Sequence, residues 1–158
     1  MRIFWICLVA VVIVIAPYVA IHRVLINHAT IMLRNQAQQT TDGAVNAGLQ
    51  KLLKWNRTLS SQLVADVWGK GVMAFEYHFN YRQLIDKGQA FTKAQLQKQL
   101  ADYAQTQGLK AVKTGQPVFK VTDWWVYEGI LHIDVAYLLN ESTVEYVNDL
   151  RRLSRHSK

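Results

Sequence analysis

The chain has 158 residues, 51% of them apolar and 18% charged, with 18 Lys+Arg against 11 Asp+Glu, one Cys and two Pro. Those proportions exclude a collagen, a low-complexity linker, a disordered tail and a disulfide-stapled mini-protein, and they leave one small globular domain. The apolar residues are unevenly spread, however. No charged residue falls between Ile3 and Ile21, and all but one of the basic residues come after that run.

The run from Ile3 to Ile21 has the length of a helix of roughly 28 Å, close to the ~30 Å hydrocarbon core of a bilayer. Trp5 and Tyr18 stand near its two ends, where amphipathic rings favour the headgroup zone, and Arg2 and Arg23 bracket it. Residues 1–22 are therefore expected to be a single transmembrane anchor. A cleaved signal peptide fits less well, because a cut after Ala20 would put the bulky Tyr18 where a small side chain is needed. Cys7 falls inside the run, so the rest of the chain has no thiol. The short N-terminus with Arg2 favours an extracytoplasmic location for the remainder of the chain. Asn56-Arg-Thr58 and Asn140-Glu-Ser142 match the glycosylation pattern at chance level.

Residues 23–68 are expected to continue the helix as an amphipathic stalk. Apolar residues recur at Val45, Leu49, Leu52, Leu59, Leu63 and Val67, one face of a helix. Gly43 and Gly48 each weaken a helix by about 1 kcal/mol relative to Ala, which places a hinge near 43–48. Gly69-Lys-Gly71 closes the stalk.

From Gly71 the period changes to two, with Met73, Phe75, Tyr77, Phe79 and Tyr81 on one face of a strand and Ala74, Glu76 and His78 on the other. Asp86-Lys-Gly88 is a turn. Thr92 then caps a helix carrying Leu96, Leu100, Tyr103 and Ala104 at helical spacing, and Gly108 ends it. A hairpin comes next, Val118–Tyr127 and Ile130–Leu139 around Glu128-Gly129. A two-residue loop would set Trp125 opposite His132 and the like-charged Asp123 and Asp134 face to face. A three-residue loop ending in Gly129 avoids that pair and is the register preferred from the sequence. Residues 141–153 form a short helix or ragged strand, and 151–158 a mobile basic tail. The whole reads as α+β: an anchor, a stalk, and a head over 69–150 with about three antiparallel strands packed with helices.

For chemistry, Glu76 with His78 and His132 with Asp134 are each two apart on a strand, and so share a face. Were the strands neighbours, two imidazoles and two carboxylates would converge as a metal or acid/base site requires. Nothing in the sequence makes them neighbours, so no catalytic residue, metal or cofactor is assigned. No Gly-x-Ser-x-Gly elbow or phosphate-binding loop occurs, and the reading is non-enzymatic. The positive charge suits a polyanion, with Arg151, Arg152, Arg155 and Lys158 the candidate contacts. If the domain faced the cytoplasm, those residues would favour anionic lipid. Nucleic acid is not expected. Trp124 and Trp125 must point to opposite sheet faces, so either one fills a core and the other is left for a second layer or a partner, or both are buried, one beneath each of two packed helices; together with Leu49, Leu52, Leu59 and Leu63 they are the candidate interface.

A short N-terminus, an apolar span, an amphipathic extension of the same helix and a small head with a hairpin resemble the pilin-like family, including the tight-adherence pseudopilins. The likeness covers most of the chain and is one of architecture. The Gly-Phe-x-x-x-Glu processing motif is absent, so no functional residue is carried over. The resemblance implies a membrane-anchored subunit of a bacterial envelope assembly of pilus, conjugation or secretion type, with the bilayer and other envelope proteins or copies of itself as partners.

Overall fold

The computed structural model describes the backbone of residues 2–54, 57–64, 71–80, 82 and 91–156, and their side chains except those at 2, 3, 6–10, 12, 20, 24–28 and 156. The side chain of Cys7, the Asn56 sequence, Val67, the Gly69–Lys70 turn, Tyr81, the Asp86–Gly88 turn and Lys158 lie outside the described residues. Two compact units are formed, by residues 1–35 and 36–158.

In the first unit, residues 2–35 are helical and belong to α1 (Arg2–Leu53), with Pro17 inside it. Phe4, Trp5, Val14, Tyr18 and Met32 are each 62–72% exposed, and the Tyr18 and His22 rings stack at 5.9 Å. Among the described residues no helix is long and apolar enough to cross a membrane. Positions 3, 6–10, 12 and 20 of the uncharged run are among the side chains not described.

The second unit is an α+β domain on a four-stranded antiparallel sheet. Its elements are residues 36–53 of α1, β1 (Gln62–Leu63), β2 (Ala74–Asn80), α2 (Lys93–Thr106), β3 (Phe119–Tyr127), β4 (Ile130–Tyr137) and α3 (Glu141–His156). The strand order is β1-β2-β4-β3. Alternation decides what each face holds. Met73, Phe75, Tyr77 and Phe79, with Leu131, Ile133, Val135 and Tyr137, turn to one side and bury against Ala37, Ala44, Val45, Leu49 and Leu53 of α1 and Leu96, Leu100 and Ala104 of α2. Each large side chain so buried contributes roughly 1.5–3 kcal/mol before entropy is counted. A smaller cluster on the other side joins Val72, Ala74, Ala136 and Leu138 to Val144, Tyr146 and Val147 of α3.

Helix α1 runs through Gly43 and Gly48 without a break. A Cβ at Gly48 would lie 3.2 Å from Gln99 Cβ and 3.3 Å from Leu96 Cδ1, and one at Gly43 would lie 2.9 Å from Tyr103 Oη. The glycines expected to mark a hinge are thus positions at which α1 packs against α2 residues. The helix also stops earlier than its apolar spacing implied, with Lys54 at φ 49. Asn46 explains how the next segment is held: its Nδ2 donates to Leu59 O and its Oδ1 accepts from Leu59 N, both at 2.8 Å. Gln38 Nε2 similarly donates to Ser61 O at 2.8 Å. Leu59 and Leu63 reach the core from extended chain, and β1 is the strand the sequence had hidden inside the stalk.

Helix α2 has the expected start, a capping box in which Thr92 accepts from Gln95 N and the Gln95 side chain accepts from Thr92 N. Helix α3 is preceded by Asn140, whose Oδ1 accepts from Thr143 N at 2.9 Å while its Nδ2 donates to Gly71 O at 2.7 Å. Thr143 Oγ1 in turn accepts from Met73 N at 2.9 Å. The Asn140 amide, which matched a glycosylation pattern in the sequence, is engaged in tying α3 to the entrance of β2.

The hairpin takes the two-residue register that the sequence disfavoured. Tyr127 pairs with Ile130 across the turn, and Glu128 (φ 50) and Gly129 (φ 79) both adopt the positive φ of a primed turn. The bulge exists, but lies between Val121 and Asp123 rather than at Gly129. Displaced there, it keeps Phe119 and Val121 on the core side with Tyr137 and Val135, and still turns Trp124 inward opposite Ile133. Its freed backbone groups are satisfied: Lys93 Nζ donates to Thr122 O at 2.9 Å, and Trp124 N donates to Asp123 Oδ1 at 2.7 Å.

Candidate functional site on the outer sheet face

β2 and β4 are direct neighbours, pairing Glu76 with Asp134 and His78 with His132. The four residues singled out from the sequence therefore stand together on the face turned away from α1 and α2. Glu76 Oε1 and His132 Nδ1 are hydrogen-bonded at 2.7 Å. The His78 and His132 rings are tilted at 6.0 Å. β3 adds Trp125, stacked on His132 at 4.8 Å and 12°, and Asp123, directly opposite Asp134.

Asp134 occupies the floor of this group. It is 7% exposed, and its Oδ1 is buried without a hydrogen-bond partner. Burial, reinforced by the Glu76 and Asp123 carboxylates and opposed by His132 and Lys93, pushes its carboxyl up to about 7. Tyr146, from α3, is pushed up to about 12 by burial and then by Asp134 and Asp123. Asp123 and Tyr146 were not singled out from the sequence. Asp123 was visible there as the partner Asp134 would meet across a two-residue loop, and Tyr146 carried no signal because only the packing of α3 brings it near.

The arrangement orients an imidazole against a carboxylate and gathers negative charge around an unsatisfied acceptor. Among the described residues no group of three or more His, Cys, Asp or Glu could hold a metal ion. No hydrogen bond between His132 and a Ser, Thr or Cys is formed among them either.

The other candidates are dispersed. Leu49 is buried, and Leu52, Leu59, Leu63 and Trp124 pack against the same core. Trp124 also meets Phe91 edge-on at 5.2 Å. Leu49 thus lies in the interior, the other four are partly buried against it, and of that candidate interface Trp125 is the exposed residue. Arg151, Arg152 and Arg155 are exposed on α3, which continues as a helix to His156 where a mobile tail was expected. Arg152 pairs with Asp149 at 3.3 Å. Arg151 lines a separate cavity of about 170 Å³ with Gln116, Leu138, Val144 and Asn148 among its walls. Trp5, Tyr18 and Arg23 are exposed on α1.

The sheet and its helices define an α+β domain with a four-stranded antiparallel sheet. No family model, curated protein or solved structure matches the chain.

Proposed function

We propose that the protein is a non-enzymatic, membrane-anchored subunit of a bacterial envelope assembly, of pilus, conjugation or secretion type. Residues 1–22 hold it in the membrane, and the α+β domain, placed outside the cytoplasm, contacts other envelope proteins or copies of itself. One observation carries this reading: the change along α1. Up to Leu33 its described large apolar side chains are exposed, whereas Ala37, Thr41, Ala44, Val45 and Leu49 are buried at helical spacing. An apolar helix surface left in water is costly. The uncharged run of residues 3–21 in the sequence has the length a bilayer would cover.

Alkaline carbonate extraction of membranes containing the full chain tests the anchor. The protein should stay with the membrane pellet, and release into the supernatant would overturn the reading. Protease treatment of intact against lysed cells tests the orientation, since the C-terminal residues should be cleaved without opening the cytoplasm. Crosslinking in membranes should capture another protein or a second copy; a lone monomer there and in mild detergent would end the assembly role.

A second reading, a domain that binds a small ligand, draws on the Glu76–His132 pair and the unpartnered Asp134 oxygen. It names the same face that a partner would use.

A further inference from the structure

We propose that the face built by Glu76, Asp123, His132 and Asp134 receives the cationic side chain, arginine or lysine, of a protein partner. The inference rests on the assembly role proposed above and specifies the chemistry of the contact.

The first argument is local charge. The chain as a whole is basic, with a formal charge of +7, yet three carboxylates meet on this face within two adjacent residue pairings, Glu76 with Asp134 and Asp134 with Asp123. The nearest lysines form no ion pair with them among the described residues. Lys93 Nζ donates to the carbonyl of Thr122, and its charge only partly offsets Asp123 and Asp134. Lys120 sits opposite Ala136, one same-face step from Asp134, and among the described residues forms no ion pair with the three. His132 is already engaged by Glu76 at 2.7 Å.

The second argument is the state of Asp134. A buried acceptor without a donor costs roughly 1–3 kcal/mol, and Asp134 Oδ1 is such an atom at 7% residue exposure. A cationic group seated over the partly exposed Glu76 supplies the countercharge to this buried carboxyl. Burial and the two flanking carboxylates, which make the unpaired carboxylate unfavourable, are the conditions under which a charge-assisted hydrogen bond is strongest. Arginine and lysine carry donors and no acceptor, so they match a face of acceptors.

The third is access. Glu76 and His132 keep 29% and 21% of their side-chain surface, and Trp125, stacked on His132, is 37% exposed. Glu76 and His132 are thus reachable from solvent beside an aromatic ring, with Asp134 Oδ1 buried beneath them, and such a surface accommodates both the stem of a long cationic side chain and its charged head.

The test uses the full chain in detergent, with N-acetyl-arginine methylamide, its lysine counterpart and the neutral isostere N-acetyl-citrulline methylamide as probes, read by NMR at the Trp125 indole and the His132 ring. Saturable shifts are expected with the arginine or lysine probe, weakened by added salt and at least tenfold weaker in Asp134→Asn. Glu76→Gln should weaken them as well. Absence of a saturable shift, equal binding of the citrulline probe, or undiminished binding in both variants would each overturn the proposal. The last two outcomes would leave Asp134 as a carboxyl that simply keeps its proton. Carbonate extraction of Asp134→Asn separates the two ideas: loss of probe binding with the protein still in the membrane pellet concerns this face alone.

Discussion

Asp123 and Asp134 stand directly opposite each other across β3 and β4, with the Asp134 carboxyl buried and no donor on its Oδ1. Like charges at such a position are destabilising, and burial above all, then Glu76 and then Asp123, pushes the Asp134 carboxyl up to about 7. The folded chain therefore holds the proton up to about pH 7, while the unfolded chain loses it near the ordinary value of 3.8. Between those values the folded state binds more protons, so this residue's contribution is greatest below about pH 4, declines as pH rises to 7 and stays low above it. Asp134→Asn should remove that decline. Urea midpoints from pH 4 to 8 should fall more for the natural chain than for the variant, and at pH 8 the variant should be more stable by about 1 kcal/mol. Parallel profiles would refute the assignment.

The glycines of α1 give opposite expectations. At Gly43 the obstacle to a Cβ is the hydroxyl of Tyr103, the far end of a half-buried side chain that can move aside. Gly43→Ala should therefore be neutral or gain up to about 1 kcal/mol from helix propensity. At Gly48 the obstacles are the Cβ of Gln99 and a methyl of the fully buried Leu96. Overpacking there costs about 1–3 kcal/mol, so Gly48→Ala should lower stability and Gly48→Val should lower it further. If both glycines served a hinge, both alanine variants would stabilise alike; thermal unfolding of the two tells the cases apart.

How far each element is legible in the sequence depends on how local its signal is. β2 and α2 were legible because the sequence from 73 to 81 carries bulky residues at strict alternation, and that from 92 to 104 a cap and a 3.6-residue period. The end of α1 was not, since Leu59 and Leu63 are four apart and suit a helix face or one side of an extended chain equally; Asn46, thirteen residues away, decides it. In the hairpin, avoidance of the Asp123–Asp134 pair favoured the longer loop, while the fold tolerates that pair and places the bulge at Thr122 so that Phe119, Val121 and Trp124 all reach the core. The site residues were nameable, but Glu76 and His132 are 56 positions apart, and only the insertion of β4 between β2 and β3 makes them touch.

Asn46 is the joint between α1 and the segment after it. It supplies both a donor and an acceptor to Leu59, the pattern a neighbouring strand would offer. Asn46→Ala should leave both backbone groups of Leu59 without those partners and cost roughly 1–3 kcal/mol. Hydrogen exchange should localise the effect, with the Leu59 amide losing protection while Ile133 and Val135 in the sheet centre keep theirs below the global unfolding limit. Unchanged protection at Leu59 would show that the leucine side chain, not the asparagine, holds the segment.

The β3–β4 turn offers a last test, because its register determines which residues form the outer face. Glu128 is at φ 50, a conformation that costs an ordinary L-residue about 1–2 kcal/mol and that asparagine tolerates better. Glu128→Asn, which restores the Asn-Gly pair favoured in primed two-residue turns, should stabilise the domain by about 0.5 kcal/mol. Gly129→Ala should destabilise it by about 1 kcal/mol or more, for two separable reasons: the residue is at φ 79, and a Cβ would lie 2.7 Å from Arg82 Nε. Arg82 is an exposed, flexible side chain that can swing away, so backbone strain should dominate. The double variant Arg82→Ala/Gly129→Ala should then retain most of the loss measured against Arg82→Ala alone. A three-residue loop would give a different pattern, with position 128 outside the left-handed region and Glu128→Asn without benefit. It would also move Trp125 and Asp123 away from His132 and Asp134 and dismantle the acidic face, so urea denaturation of these variants bears on the site as directly as on the turn.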